Sequence, residues 1–282
     1  MGRSKRKKPI GACHVCARVG RLSWEHVPPE AAFNDRPVIG IDGDRAIKDY
    51  RKVGRPRGPV EQRGAGGYTL CRRCNSNTGS WYGAALVEWC RQAGAVLEEV
   101  GHAPALAYPY YFYPLRVIKE IAAMFFSVND VQFRNGHHEE IRRRGPELAQ
   151  FVLNPERRDV PKPFRLFTYF VGTMPGRGIG WSRKIVDGRE WDLTEITFPP
   201  LGYVMTAGTD APHPDQEEIT SFGSFRYDDF RMMHLKLPML PVASVYPGDY
   251  RTAEEVQAGG EAIFEIKDAA GQPTSWRAVK VK

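Results

Sequence analysis

The sequence contains no apolar run long enough to cross a bilayer as a helix, which takes about 20 residues. Its basic N-terminus, MGRSKRKKPI, is not followed by the apolar segment of a secretory signal. Arg6 also stands where a myristoylation motif needs Ser or Thr. There is no internal repeat, and no low-complexity block dominates the chain. These absences predict a folded, soluble, cytoplasmic protein that does not associate with membranes.

Cysteine is scarce, with five residues in 282, and an odd number in an intracellular chain argues against a disulfide framework. Four of the five form two C-x-x-C pairs, Cys13 with Cys16 and Cys71 with Cys74, and Cys90 stands alone. Two such pairs supply four thiolates, the ligand set of tetrahedral zinc at a closed structural site. Redox dithiols, an iron–sulfur cluster or a chance arrangement are the alternatives. A redox dithiol needs only one pair, before a helix, and fits two pairs poorly.

The net charge of +7, from 40 basic and 33 acidic residues, permits a polyanionic partner. Much of the excess lies near the N-terminus, and residues 45–63 alone carry seven basic and two acidic residues. Arginine forks can bind phosphate groups with two hydrogen bonds, and the glycines of this segment allow close backbone approach. We therefore predict that the segment binds nucleic acid. The predicted contact residues are Arg45, Lys48, Arg51, Lys52, Arg55, Arg57 and Arg63.

An acid–histidine pair, Glu25 and His26, follows the first cysteine pair in the segment WEHVPP, where we predict a short strand that ends near His26. On a regular strand the two side chains would point to opposite faces, and a bend before the two prolines would bring both to one site. Asn75 directly follows the second cysteine pair, so a shared zinc ion would bring it close to the acid and the histidine. Carboxylate and amide oxygens are hard ligands suited to Mg²⁺ or Mn²⁺. A histidine beside them can take a proton from water.

The order of these features, C-x2-C, then EHVPP, then LC-x2-CN-x3-G, resembles an HNH endonuclease of the ββα-metal (His-Me finger) superfamily in its zinc-stapled form. The resemblance covers roughly residues 11–100. It implies that His26 is the general base, that Glu25 ligates a catalytic Mg²⁺ or Mn²⁺, and that Asn75 is the second protein ligand of that cation. The implied activity is metal-dependent hydrolysis of phosphodiester bonds in nucleic acid, with DNA as the predicted substrate.

One departure from the family pattern concerns an asparagine that usually lies a few residues before the second cysteine pair and orients the catalytic histidine. Here that region reads GAGGYTL (residues 64–70) and contains no asparagine. Asn34, Asn77 or a backbone carbonyl would have to take this role, because an unsupported histidine has no fixed tautomer. The alternative function is a catalytically inactive zinc-stapled module that binds nucleic acid or regulates a partner.

The pattern as a whole predicts an α+β protein. We predict a disordered basic tail over residues 1–10, and a ββα-metal (His-Me) finger with a structural four-cysteine zinc site over residues 11–104. Residues 105–113 are predicted to be a linker, and residues 114–282 a mixed α+β domain. This last domain carries no recognisable chemistry. Its predicted roles are substrate selection, homodimerisation or binding of a partner protein, and they stay open.

Periodicity gives a coarse secondary structure. Apolar residues spaced by three or four predict a helix that is capped by Asn75 or Ser76 and ends near Gly101. Pro114 suits the start of a second helix, and residues 137–153 predict a third. Later segments rich in β-branched and aromatic residues predict strands. These segments are residues 165–173, 195–208, 235–247, 262–268 and 276–282, and the last two are predicted to form a hairpin.

Overall fold

The computed structural model mixes helices and β-sheets, so the predicted α+β class is confirmed. No helix in the part of the chain that the structure describes is long and apolar enough to cross a membrane. The described residues are 9–40, 59–100, 107–134, 139–172, 176–186, 189–242, 246–252, 254–255, 258, 261–267 and 273–280.

The helices are α1 (Arg72–Thr78), α2 (Ala84–Val100), α3 (Pro114–Val128) and α4 (Glu139–Leu153). A π-helical turn, Gly79–Gly83, joins α1 to α2. Short 3₁₀ helices span Val131–Arg134 and Thr220–Ser224. The strands are β1 (Ile10–Ala12), β2 (Val19–His26), β3 (Val38–Ile39), β4 (Val60–Glu61), β5 (Gly66–Cys71), β6 (Tyr108–Phe112), β7 (Phe164–Phe170), β8 (Arg177–Val186), β9 (Arg189–Phe198), β10 (Leu201–Ala207), β11 (Glu217–Glu218), β12 (Arg231–Leu235), β13 (Glu261–Lys267) and β14 (Pro273–Lys280).

A three-stranded antiparallel sheet in the order β1–β2–β5 forms the N-terminal part of the described fold. β2 pairs with β5 from Leu22 opposite Cys71 to His26 opposite Gly66. The strand that was predicted to end near His26 is confirmed. The helical segment of residues 72–100 follows β5 without a loop. This direct connection places the start of α1 beside the two strands that carry the candidate site.

The first helix begins at Arg72, earlier than the predicted caps Asn75 and Ser76. Cys71 takes the cap position with an extended backbone and makes no side-chain capping bond. The side-chain amide of Asn75 instead donates to the carbonyl oxygen of Trp24 over 2.7 Å. The prediction was wrong because it treated Asn75 as a local cap, whereas a partner 51 residues away in the sequence uses that amide.

A seven-stranded sheet in the order β11–β7–β10–β9–β8–β13–β14 occupies the second half of the described chain. The predicted segment 195–208 contains two strands, β9 and β10, which pair as a hairpin. The predicted C-terminal hairpin is confirmed as β13 and β14. Residues 235–247 were predicted to be a strand, and this was wrong for the described residues beyond Leu235, where β12 ends. That segment contains three prolines, which cannot donate to a strand ladder.

The predicted linker is also partly wrong, because residues 108–112 form β6, which pairs antiparallel with β12. Tyr110 and Phe112 are buried while Tyr111 between them is exposed, the alternation that a strand imposes. The ring of Phe112 stacks on Trp89 of α2, with centroids 5.5 Å apart. Buried side chains from residues 11–104 and from residues 114–282 belong to one hydrophobic cluster. The proposed division into two domains stays a prediction.

Helix α3 packs against α2, the π-helical turn and β5. Near its C-terminal end, the carbonyl of Phe126 bonds Nδ1 of His14 over 3.0 Å, and Ser127 bonds the hydroxyl of Thr69 over 3.1 Å. Lys119, which is fully buried, donates to carbonyl oxygens of Phe151 and Asn154 at the C-terminus of α4. These polar contacts fix the rotation of α3 relative to the three-stranded sheet.

Candidate metal centre and adjoining histidine

Four cysteines meet where the three-stranded sheet joins α1. Cys13 and Cys16 lie in the turn between β1 and β2, Cys71 ends β5, and Cys74 lies in the first turn of α1. Their Sγ atoms all lie within 4.8 Å of one another. The Sγ atoms of Cys16 and Cys71 are 3.9 Å apart. Sulfurs placed tetrahedrally about 2.3 Å from zinc would be about 3.8 Å apart, so the cluster fits the ion.

The electrostatics of the cluster favour a bound cation. A hydrogen bond from Cys74 and backbone N–H groups of the turn lower the pKa of Cys13 to about 4. Burial raises the pKa of Cys16, and the hydrogen bond with Cys13 raises that of Cys74 well above its ordinary value. Several thiolates can therefore coexist here only if positive charge is added. Cys90 lies apart, with Sγ 3.6 Å from the hydroxyl of Tyr203.

His26 ends β2 and is partly buried. Its Nε2 lies 2.8 Å from the carbonyl oxygen of Arg63. A carbonyl oxygen only accepts hydrogen bonds, so Nε2 carries the proton and Nδ1 of the neutral ring keeps a free lone pair. Trp24, two residues earlier in the strand, meets the imidazole edge-on with ring centroids 6.3 Å apart. The imidazole is thus oriented and held in one tautomer.

Asn34 is completely buried and holds the segment that carries the Arg63 carbonyl. Its Nδ2 donates to the carbonyls of Pro28 (2.7 Å) and Ala65 (2.8 Å), and its Oδ1 accepts from the Ala65 N–H (2.6 Å). Gly64 has φ +86°, and a Cβ there would lie 2.2 Å from the carbonyl oxygen of Asn34, so this approach requires glycine. The sequence offers Asn34, Asn77 or a backbone carbonyl as the group that would orient His26 in place of the missing asparagine. In the structure the carbonyl of Arg63 contacts His26 directly, and Asn34 holds the segment that carries this carbonyl.

Replacement of Asn34 by alanine should destabilise the protein by about 3 kcal/mol, because three buried hydrogen bonds worth about 1 kcal/mol each are lost. Urea unfolding measures this loss as a lower transition midpoint. Asn77→Ala is the matched control, since Asn77 is only partly buried, and it should change stability by less than about 0.5 kcal/mol. Equal losses in the two variants would show that Asn34 does not brace this segment.

Glu25 precedes His26 but has a different environment. Its side chain is 7% exposed. Burial, the charge of Glu120 and the charge of Cys13 together raise its pKa to about 9. β2 continues through His26, so the chain turns only after the pair, and the alternation of an extended strand separates the two side chains. The bend that was considered at this point is therefore absent.

Asn75 lies beside the strand that carries the acid and the histidine, through its bond to the carbonyl oxygen of Trp24. Trp24 is bonded in sequence to Glu25, so the Asn75 amide is close to the backbone of that residue. The proximity of Asn75 to this strand, which the cysteine spacing predicted, is therefore observed. The side-chain oxygen of Asn75 accepts no hydrogen bond from the residues that the structure describes.

Arg63 borders the histidine on the exposed side of the sheet. Its guanidinium lies 5.5 Å from the ring centroid of Trp24, and Nη1 donates to the hydroxyl of Tyr68 over 3.2 Å. Trp24 and Tyr68 pack edge to face. The positively charged guanidinium of Arg63, which two aromatic side chains hold, therefore lies near His26. The other predicted contact residues, Arg45, Lys48, Arg51, Lys52, Arg55 and Arg57, lie outside the described residues.

Glu120 is a polar residue near the site, and the sequence patterns did not predict it. It lies in α3 and is only 2% exposed. Burial raises its pKa to about 7. Its position inside the apolar run of α3 was the available signal, because an acidic residue is rarely buried unless it has a partner.

Comparison with known proteins does not assign the chain to a family. No protein-family model, no curated protein and no solved structure matches it. The class that fold and site define is an α+β protein with a cluster of four cysteines that could hold a metal ion. Any more specific function has to be inferred from the chemistry of the site residues.

Proposed function

We propose that the protein is a metal-dependent endonuclease of the HNH type, which hydrolyses phosphodiester bonds in nucleic acid, with DNA as the substrate. The observation that carries this proposal is the 2.8 Å contact of His26 Nε2 with the Arg63 carbonyl. In the neutral ring this contact places the proton on Nε2, so the lone pair of Nδ1 is the one that can take a proton, and the ring lies next to an exposed arginine. The cysteine cluster between the three-stranded sheet and α1 supports the zinc-stapled ββα-metal finger that the sequence resembles.

In this function His26 is the general base. Nδ1 takes a proton from water, whose oxygen forms a bond to phosphorus as the bond from phosphorus to the 3′ oxygen breaks. The released 3′ oxygen takes a proton from solvent, so the products carry a 5′-phosphate and a 3′-hydroxyl. The dipole of the Arg63 carbonyl faces Nε2–H and stabilises the positive charge that the ring acquires. General base catalysis of this kind contributes about 10²- to 10⁴-fold to rate.

Glu25 and Asn75 are the proposed protein ligands of a divalent cation, Mg²⁺ or Mn²⁺. When bound, such a cation neutralises negative charge on the phosphate and on the leaving oxygen. Carboxylate and amide oxygens suit this class of ion. Burial of an ionised carboxylate is costly unless a positive charge lies beside it, and a bound cation would supply that charge. No described basic residue forms an ion pair with Glu25, so its ionised carboxylate would need positive charge from another source, such as a bound cation.

A second candidate function is a zinc-stapled module that binds nucleic acid without cleaving it. The placement of Glu25 favours this candidate. Its side chain is buried and lies on the opposite face of β2 from His26, and burial and the charge of Glu120 raise the pKa of its carboxyl to about 9, which opposes the ionised form that ligates a metal. A protonated carboxyl has to lose its proton before it ligates a metal. Metal-dependent cleavage therefore separates the two functions.

Incubation of supercoiled plasmid with the zinc-loaded protein tests the proposal. The endonuclease should nick or linearise the plasmid with Mg²⁺ or Mn²⁺ and leave it intact with EDTA. Retention of intact plasmid on a gel, in a manner that salt reverses, would instead establish the binding module. Intact plasmid with no retention under any of these conditions would contradict both functions.

DNA binding should weaken steeply with salt, because each neutralised phosphate contributes a slope of about −0.9 to the plot of log K against log salt. Arg63→Gln should lower affinity for all DNA sequences alike. It should also reduce the magnitude of this slope by about 0.9, the contribution of one phosphate contact. Fluorescence anisotropy with two unrelated duplexes measures both effects. Arg226→Gln, an exposed arginine in the second half of the chain, is the control and should leave the slope unchanged. An unchanged slope for Arg63→Gln would remove this residue from the interface.

A further inference from the structure

Glu120 is a buried acid that has no counter-charge among the residues that the structure describes. It is only 2% exposed, and its Oε2 has no hydrogen-bond partner among the described residues. The neighbouring Lys119 does not neutralise it, because the Lys119 ammonium donates to carbonyls at the end of α4. A buried polar atom without a partner is costly, and a native structure that keeps one has a reason for it.

The position of α3 brings this acid to the candidate site. Two turns beyond Glu120, Ser127 bonds Thr69 of β5, and Gly67 of the same strand pairs with Glu25. The Glu120 carboxyl itself lies against the π-helical turn: Oε1 is 3.9 Å from the point where a Cβ on Gly83 would be. π-helical turns occur often at functional sites.

The two acids differ in their access to solvent. Glu25 is 7% exposed, and neither of its carboxyl oxygens is both buried and unpartnered. Glu120 lies deeper and presents the unpartnered oxygen. A divalent cation that enters at Glu25 would meet a second carboxylate behind the first. Two carboxylates balance the two positive charges of Mg²⁺ or Mn²⁺, and oxygen is the donor that these ions prefer.

We propose that Glu120 is a second carboxylate ligand for the divalent cation that Glu25 holds, so that α3 completes the metal centre from outside the HNH-like segment. This inference rests on the proposed endonuclease function and names one more residue of its site. It accounts for the unpartnered oxygen of Glu120, which becomes a ligand. It also gives the second half of the chain a role in the site, because residues 11–100 alone would lack this ligand.

Mn²⁺ binding to the full-length, zinc-loaded protein is the test, with free Mn²⁺ measured by electron paramagnetic resonance. Glu120→Gln keeps the shape of the side chain and removes its charge. It should weaken Mn²⁺ binding by about tenfold or more, a loss that even an outer-shell group of a metal site can cause. Glu25→Gln should have a similar effect. Glu88→Gln, on the exposed face of α2, is the matched control and should bind Mn²⁺ like the unaltered protein.

Zinc content and melting temperature show whether each variant folds. If Glu120→Gln fails to fold, Glu120→Asp replaces it: this variant keeps the charge but withdraws the carboxylate by one methylene, and it should also weaken Mn²⁺ binding. Unchanged Mn²⁺ affinity in the folded Glu120 variant would overturn the proposal, as would the absence of Mn²⁺ binding in the unaltered protein.

The two proposals can fail separately. If Mn²⁺ binding requires both glutamates but DNA is never cleaved, the metal site stands and the endonuclease function is wrong. If DNA is cleaved and Glu120→Gln changes neither Mn²⁺ affinity nor the metal dependence of cleavage, the endonuclease stands and the role of Glu120 is wrong.

Discussion

Replacement of His26 by alanine should lower the rate of metal-dependent DNA cleavage by about 10²- to 10⁴-fold, because the variant has no group to take the proton from water. The fold should persist, since the partly buried imidazole makes one hydrogen bond, to the Arg63 carbonyl, and is not part of the cysteine cluster. Initial rates of plasmid nicking at saturating Mn²⁺ measure the effect. Zinc content should stay the same as in the unaltered protein.

His234→Ala is the control for this experiment. His234 is an exposed histidine on β12, so its loss removes the same chemical group far from the candidate site along the chain. This variant should cleave at the unaltered rate. If His26→Ala cleaved as fast as the His234 control, the general base would be another group, even though the protein would still be a nuclease.

Replacement of Cys71 by serine should have the largest effect on stability. Cys71 ends β5 and takes the cap position of α1, so a bond from its thiolate to a metal would tie the sheet to the helix that carries Asn75. The free energy of zinc binding at such a site is part of the free energy of folding. We expect zinc stoichiometry to fall from about one ion per chain to almost none. The free energy of unfolding should fall by more than about 4 kcal/mol, a loss in the range of a deleted metal site.

Cys90→Ser separates this effect from the general cost of altering a buried thiol. Cys90 is 3% exposed and lies outside the cluster, beside Tyr203. This variant should keep its zinc and lose much less stability than Cys71→Ser. Elemental analysis together with thermal unfolding compares the two variants. Full zinc content in Cys71→Ser, or equal destabilisation by both substitutions, would contradict a zinc site at the four cysteines.

The activity profiles of these variants should also differ in kind. His26→Ala should retain zinc, fold and DNA binding while losing cleavage. Cys71→Ser should lose all of them together, because the strand with Glu25 and the helix with Asn75 no longer have a common anchor. A protein in which both substitutions abolished cleavage but neither affected zinc would have its metal elsewhere.

The sequence predicted the cysteine cluster well because each half of it is local. A C-x-x-C turn brings two thiolates together wherever it occurs, and four such ligands have few stable arrangements other than a tetrahedral metal site. The same locality allowed the end of β2 at His26 to be predicted. The position of Asn75 beside β2 followed from the cluster, because the residue after the last cysteine can lie only a short distance from it.

Contacts between distant segments could not be predicted in this way. Asn34 braces Ala65 across 31 residues, and the carbonyl of Arg63 reaches His26 across 37. A backbone carbonyl exists at every residue, so no residue type indicates which one will face the histidine. The sequence shows only that the usual asparagine is missing from residues 64–70, where Gly64 allows the close approach to Asn34 instead.

The placement of β6 and of Glu120 shows the same limit. The sequence predicts a linker at Tyr110 and Phe112, because prolines flank them and their alternation with Tyr111 spans too few residues to distinguish a strand. The acid inside α3 is visible in the sequence, but only tertiary packing brings that helix against β5 and the π-helical turn. Contacts between residues in different halves of the chain can therefore be found only from the structure.

The ends of the cut strand give the most direct test of the proposed chemistry. Plasmid nicked by the zinc-loaded protein with Mn²⁺ would be purified and treated with DNA ligase, without any prior enzymatic repair of the ends. Attack of water on phosphorus with release of the 3′ oxygen predicts 5′-phosphate and 3′-hydroxyl ends, which the ligase should reseal. Nicks that could be sealed only after removal of a 3′-phosphate would contradict this mechanism, and intact plasmid would contradict the endonuclease itself.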